Sequence, residues 1–285
     1  MEFSKFPAYT PVVPDQRTVE SENFLSGSEI HEQWESDYLN QDLDPFYERA
    51  FEWIASQLGE RTQTVLDAGC GYCIHAARLV RRGFQVTGLD FSPSALGAAS
   101  RYLKQCGLEG KVSLRQGDLL ALPFADGQFD AVTCWGVLMH IPDLERALLE
   151  LLRVVAPGGR LVLMENNCAS LHVRFWEPAL RSVKRVLHRT VPEVRRTPRG
   201  VEEWYQRETA GLMVRKTNID WLVGFLAKHD ARLATRHAGQ MTEIFTSLRP
   251  RALKRVVYRL NRTWFDRGGS PGLALGNILV FEKRA

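Results

Sequence analysis

No stretch of this chain stays apolar for the ~20 residues that a membrane-spanning helix needs, so the sequence offers no transmembrane segment. Cysteine is scarce. Five residues in 285, an odd number without a repeated spacing, exclude a disulfide framework and point to a reducing compartment. The one C-x-x-C run, Cys70-Gly71-Tyr72-Cys73, has no second Cys/His pair to complete a zinc site, and no carboxylate–histidine cluster has metal-ligand spacing. Its overlap with a glycine loop explains it better than redox chemistry does. An apolar signal-peptide core is missing too: the first two dozen residues carry Pro7, Pro11 and Pro14 and no periodic apolar pattern. The expectation is an extended arm on a cytoplasmic protein. Internal repeats and low-complexity tracts are absent.

What is present begins with Val65-Leu66-Asp67-Ala68-Gly69-Cys70-Gly71, followed by Val86-Thr87-Gly88-Leu89-Asp90. Each reads as a short apolar strand. After the first come an acid and two glycines, which allow a tight turn and close approach to a ligand. After the second, Asp90 offers a carboxylate suited to paired ribose hydroxyls. Together they describe a nucleoside-binding α/β domain. A dinucleotide loop needs a third glycine for its pyrophosphate and helix packing, and Ile74 stands there instead. The alternative pattern, acid-x-Gly-x-Gly-x-Gly, is met by Asp67, Gly69 and Gly71, with Cys73 in the last place.

Three further motifs follow in order. Leu114 to Leu119 ends a strand on Asp118, Phe129 to Asp143 runs from a buried strand through His140 into a helix start, and Leu152 to Leu163 contains a Pro157-Gly158-Gly159 turn before another strand. With these, residues 60 to 167 resemble a class I S-adenosyl-L-methionine (SAM)-dependent methyltransferase, similar to the small-molecule quinone and sugar methyltransferases. The resemblance implies a Rossmann-like, doubly wound, mostly parallel seven-stranded sheet with an antiparallel last strand, here with helical cap insertions. It implies SAM as cofactor, S-adenosyl-L-homocysteine as product, and no metal.

The same resemblance implies roles. Asp67 and Gly69 hold the methionine end of SAM, Gly71 its loop, Asp90 the ribose and Phe91 one adenine face. Asp118 takes the adenine amino group, Leu119 a ring nitrogen through its backbone, and the Cys134-Trp135 strand end the amino-acid portion. Trp34 and Tyr38, one helical turn apart, resemble a pair that closes the pocket; a core stripe is the alternative. His140 is the histidine of the motif region expected at the active-site mouth, as general base or as a loop-shaping residue.

Helical spacing begins near Glu29 and, after Pro45, continues through Phe46, Ala50, Trp53, Ile54 and Leu58. The expected organisation is an N-terminal arm and pocket-closing helices over 1–60, a SAM-binding core over 61–167, a cap insertion over 168–217, and the end of the core sheet over 218–285 with a second insertion at 240–275. Charge is segregated: residues 1–60 carry three basic and thirteen acidic side chains, against eight and two over 171–200 and seven and one over 249–267. The insertions hold two basic amphipathic helices. One, 171–189, sets Phe175, Ala179, Val183, Val186 and Leu187 against Arg181, Arg185 and His188. The other, 251–264, sets Leu253, Val256, Val257, Leu260 and Trp264 against Arg251, Lys254, Arg255, Arg259 and Arg262. They point to peripheral membrane contact, to a clamp on an anionic or lipid-linked acceptor, or to cap helices with a solvated basic face. No nucleic-acid partner is expected. The reading is methyl transfer to a hydroxyl group of a small-molecule acceptor, lipid-linked or anionic. An NAD-dependent oxidoreductase and a non-catalytic SAM-fold regulatory partner stay open as alternatives.

Overall fold

A computed structural model describes residues 41–207, 210–248 and 250–284. Trp34 and Tyr38 lie outside the described residues. Helix α1 (Asp44–Leu58) has Pro45 in its first turn and buries Phe46, Tyr47, Ala50, Phe51, Ile54 and Leu58. This is the 3.6-residue stripe that the sequence predicts.

Alternation of strand and helix then builds the core: β1 (Thr64–Ala68), α2 (Ile74–Arg81), β2 (Gln85–Asp90), α3 (Pro93–Gln105), β3 (Val112–Gln116), β4 (Phe129–Trp135), α4 (Leu144–Val154) and β5 (Val155–Asn166). Ser92 caps α3 by accepting from Ala95 N, with Pro93 pre-set for its first turn. Asp143 caps α4 in the same way, accepting from Arg146 N. The chain returns to the sheet through α6 (Ile219–Lys228), β9 (Ala231–Ala238) and β10 (Gly276–Lys283); α5 (Glu177–Val186) and α7 (Arg251–Asp266) belong to the insertions described below. The seven strands lie in the order β3-β2-β1-β4-β5-β10-β9. Strands β1 to β5 pair in parallel, and β10 is antiparallel to both neighbours. The fold class expected from the motifs is therefore the observed one. Strand order reverses between β1 and β4, so the carboxyl ends of these strands form the crevice where open α/β sheets take ligands.

Between β5 and α6 lies the first insertion. It holds a π-turn (His172–Trp176), α5 (Glu177–Val186) and an antiparallel three-stranded sheet of β6 (Glu193–Thr197), β7 (Gly200–Arg207) and β8 (Ala210–Thr217). Periodicity does not reveal this sheet, because β7 and β8 carry Glu202, Glu203, Arg215 and Lys216 on their buried positions. The second insertion holds a short 3-10 turn (Ile244–Ser247) and α7 (Arg251–Asp266). Helix α7 docks on α1, with Phe265 edge-on to Phe46 at 5.5 Å. Its packed side is Tyr258, Asn261 and Phe265, whereas Leu253, Val256 and Leu260 are exposed. On the first insertion Phe175, Val183 and Val186 are exposed likewise, 68%, 54% and 78% respectively. Much of the apolar face expected of each basic helix thus looks outward, although Val257 of α7 packs against the core.

Candidate active site

Two halves meet at the carboxyl ends of β1, β4 and β5. The first is the glycine loop. Gly69 has φ +76° and packs so tightly that a Cβ would lie 2.5 Å from a Val137 methyl. Gly71 has φ +49° and open space where a Cβ would stand. Cys73 takes the left-handed conformation (φ 61°, ψ 26°) where the family pattern has its last glycine, at the start of α2. The departure noted in the sequence therefore keeps the glycine's backbone shape, at a strain of about 1 kcal/mol. Both loop thiols are buried against Gly88, whose missing side chain leaves them room; a Cβ there would meet each Sγ at 3.1 Å.

Acidic groups surround this loop. Asp67 is buried, and Thr133 Oγ1 donates to its Oδ1 at 3.1 Å. Its Oδ2 has no hydrogen-bond partner among the described residues. Burial raises the Asp67 pKa to about 7, against the opposing pull of the Thr133 and Ala76 hydrogen bonds. Asp90 is buried and joins loop to helix: Gly71 N donates to Oδ2 at 2.9 Å and Ser92 N to Oδ1 at 3.0 Å. Phe91 is half-buried, and its carbonyl accepts from Gln116 Nε2 at 3.2 Å. Asp118 is exposed and turns its own loop, accepting from Leu120 N at 2.9 Å, while Leu119 is buried. Cys134 is buried on β4 and its thiol is pushed well up by burial; Trp135 follows, half-buried.

The second half is a chamber of about 290 Å3 lined by Phe46, Tyr47, His75, Trp135, Gly136, Met139, His140, Met164, Asn166, Leu212, Val214, Gly239, Gln240, Glu243 and Gly276. Its floor is aromatic. His75 stacks on Phe51 at 4.7 Å and lies 5.1 Å from the Trp135 ring and 5.2 Å from Tyr47. Burial holds the His75 pKa well below its ordinary value, so the ring is neutral. His140 is therefore not the only motif-region histidine at the mouth. His75, the second residue of α2, carries no sequence signal of its own: it is brought there by its ring contacts with Phe51, Tyr47 and Trp135.

His140 Nδ1 pairs with the Met213 carbonyl at 2.9 Å. A carbonyl only accepts, so Nδ1 carries the proton and Nε2 the lone pair. Burial lowers the His140 pKa to about 4, with Lys216 and Arg215 adding to the shift. Arg215 makes the same junction from β8. Fully buried, it donates to the carbonyls of Leu138, Ile141 and Pro142 at 3.2, 2.9 and 3.1 Å and pairs with Glu202 at 3.2 Å. No sequence motif announces Arg215.

Beyond the chamber lies a polar cavity of about 220 Å3, lined among others by His172, Glu177, Arg181, Lys184, Glu203, Tyr205 and Lys216. Lys216 Nζ bridges Glu203 at 2.7 Å and Glu177 at 3.2 Å, and Arg181 contacts the same two acids. Asn166, Val214 and Glu243 line both cavities and so form the partition between them.

Residues 66–163 match the family model of a methyltransferase domain. Norajmaline N-methyltransferase of Rauvolfia serpentina is 38% identical over 117 residues, which cover 40% of this chain and 39% of that one. A demethylmenaquinone methyltransferase of Thermus thermophilus is 44% identical over 110 residues, 38% of this chain and 49% of that one. The chain thus spans less than half the length of these curated relatives. Among solved structures, the PH0226 protein of Pyrococcus horikoshii superposes with a TM-score of 0.60 at 17% identity, over 90% of this chain and 99% of that one. At that identity the likeness is one of fold.

Proposed function

We propose that this chain, which carries a class I methyltransferase domain over residues 66–163, transfers a methyl group from SAM to a small molecule seated in the aromatic chamber. The observation that carries the reading is the pairing of the chamber with the glycine loop, where a buried Asp67 oxygen lacks a donor and the space beside Gly71 is open. These features fit SAM: the carboxylate suits its ammonium group, and the loop suits its close approach. When bound, SAM supplies a methyl carbon made electrophilic by the positive sulfur.

The chain's residues do the remaining work. Asp67, Gly69 and the Cys134-Trp135 strand end hold the amino-acid portion. Asp90 orients the loop and the ribose, and Phe91, Asp118 and Leu119 frame the adenine. The aromatic rings exclude water from the line between nucleophile and methyl carbon, and alignment along that line is the larger part of such catalysis. His140 stands in the chamber wall with its tautomer fixed by Met213, and in this reading it contacts the acceptor. The left-handed Cys73 and Ile74 leave no third glycine for a pyrophosphate, which argues against the NAD alternative.

Thermal denaturation of the purified chain with SAM or NAD tests the reading. A ligand at 100 times its Kd stabilises by roughly 2.7 kcal/mol, so the midpoint should rise with SAM and not with NAD. The reverse result defeats it, and SAM binding without transfer to any extract component favours the regulatory alternative.

A second observation supports contact with an anionic membrane surface. The exposed Phe175, Val183 and Val186 adjoin the basic residues of α5, and the exposed Leu253, Val256 and Leu260 those of α7. Among the described residues no helix is long and apolar enough to cross a membrane.

A further inference from the structure

Glu243 is the one carboxylate among the residues lining the chamber, and the functional reading leaves it without a task. It belongs to the second insertion, directly before the short 3-10 turn (Ile244–Ser247), and lines both cavities. Its position is fixed from behind. Thr242 is buried and held at both backbone groups by Asn261 of α7, which donates Nδ2 to the Thr242 carbonyl at 2.9 Å and accepts from Thr242 N at 3.2 Å. Thr242 Oγ1 in turn accepts from Ile244 N at 3.2 Å. A residue whose two neighbours are pinned in this way presents its side chain at little entropic cost.

The carboxylate itself has no hydrogen bond or ion pair among the described residues. The other acids of the polar cavity do: Glu177 and Glu203 share Lys216 and Arg181, and Tyr205 donates to Glu203 at 2.8 Å. Glu202 is consumed by Arg215. Glu165 is buried on β5 and accepts from Thr217 Oγ1 at 2.7 Å, but it lines neither cavity. An acid with no internal partner that faces an apolar chamber is arranged for a donor that arrives with the ligand.

We propose that Glu243 is the proton acceptor of methyl transfer, and that the acceptor is an apolar, ring-sized molecule carrying a hydroxyl group at its polar end. This rests on the methyltransferase reading above and deepens it. The apolar body sits among Phe46, Tyr47, Trp135, Met139, Met164 and Leu212, and the hydroxyl reaches the partition. There the O–H bond breaks as the O–CH3 bond forms. The proton passes to Glu243, and the electron pair of the broken C–S bond stays on sulfur.

Electrostatics agree with that division of labour. Burial, set against the opposing charge of Lys216 and helped by Glu177, raises the Glu243 pKa to about 7. A base works best when its pKa lies near the working pH, so Glu243 is better matched than His140, which burial holds near 4. The titratable and charged groups that line the two cavities with Glu243 are Tyr47 from α1, His75 from α2, His140 from the turn after β4, and His172, Glu177, Arg181 and Lys184 from the arm of the first insertion. Glu203, Tyr205 and Lys216 line the polar cavity from the insertion sheet. Tyr47 is kept protonated by burial and by Glu243 itself.

The probe is 2-naphthol, an apolar bicyclic hydroxyl compound whose excited state releases its proton to an adjacent base and then emits as the naphtholate. It is bound to the SAM-saturated full chain between about pH 5.5 and 8.5, a window centred on a catalytic pKa near neutrality, and methyl transfer to it is followed with labelled SAM. Wild type should show naphtholate emission that grows as pH rises through about 7. Glu243→Gln should bind the probe but emit as neutral naphthol at every pH. Transfer in that variant should fall about 10²- to 10⁴-fold, the usual worth of a general base, and Glu243→Asp should restore part of both signals. Failure of the wild type to bind 2-naphthol, or an unchanged emission profile in Glu243→Gln, overturns the proposal. SAM affinity, measured on both proteins, separates the two levels: wild type that does not bind SAM defeats the methyltransferase reading, whereas normal SAM affinity with unchanged emission defeats only the role of Glu243.

Discussion

The loop half and the chamber half of the site are built by different rules. The loop half uses backbone and short acids at consecutive strand ends, from Asp67 to Trp135. The chamber half gathers Tyr47, His75, Met139, Met164, Leu212 and Glu243, which are spread over most of the chain. The first is one contiguous grammar of turns, while the second is assembled from α1, the core strand ends and the two insertions. The two halves share Trp135, and the side chains of His140 and Arg215 tie the turn after β4 to β8 through main-chain carbonyls.

That separation can be broken deliberately. Arg215→Ala should have the largest effect. It leaves Glu202 buried without its cation and three carbonyls without donors, a loss of about 3–5 kcal/mol readable as a lowered denaturant midpoint. The loop half should keep its SAM affinity within a few-fold at temperatures where the variant is folded. A midpoint within experimental scatter of wild type would show that the junction is not what binds the halves together.

Asp90→Ala should do the converse. With Gly71 N and Ser92 N losing their shared acceptor, SAM affinity should fall by about 2–3 kcal/mol, roughly 30- to 150-fold, with the insertion unaffected. Calorimetry giving wild-type affinity would mean that the ribose lies elsewhere.

Asp67→Asn sharpens the comparison through pH. The folded-state pKa of Asp67 is raised, so its protonated form stabilises the fold at low pH and that contribution is lost as pH rises from about 4 towards about 7. The amide needs no proton. Without ligand, the variant should therefore unfold about 1–2 kcal/mol harder at pH 8, a rise of roughly 2–8 °C, and show no such gain near pH 4.5. The same variant should lose SAM affinity at pH 8. A gain at both pH values would contradict the buried-carboxylate account.

The smallest effect is expected at the outer surface. Phe175→Ser combined with Val186→Ser removes two exposed apolar groups and should weaken flotation with anionic liposomes about threefold to tenfold, the worth of one to two methylenes in the interface at ~0.8 kcal/mol each, while leaving SAM binding intact. Salt should weaken the wild-type interaction. Equal flotation by both proteins would remove these residues from any membrane contact.

How far the sequence could be read follows the same division. Strands β1 to β5, the caps at Ser92 and Asp143, and the late antiparallel strand are legible because each rests on local signals: apolar runs, a side-chain oxygen before a helix, a glycine after one. Even Cys73 obeys the rule once its left-handed backbone is seen. Strands β7 and β8 are not legible. Their buried faces carry charges that compensate one another only across the fold, as Lys216 does with Glu177 and Glu203, so alternation of apolar and polar residues is lost. Glu243 is hidden for a related reason. It is one acid in a short loop, and only the packing of Asn261 on Thr242 aims it at the chamber.

The contacts of Arg215 have a consequence for how such a protein diversifies. Arg215 itself asks the core for only three main-chain oxygens, while His140 and Glu165 add the core side chains that meet Met213 and Thr217. Any core whose turn after β4 has the same shape presents those oxygens whatever its side chains are. The Glu202–Arg215 pair therefore leaves the core side chains beside those three oxygens free to vary, whereas positions 140 and 165 are tied by side chain to β8.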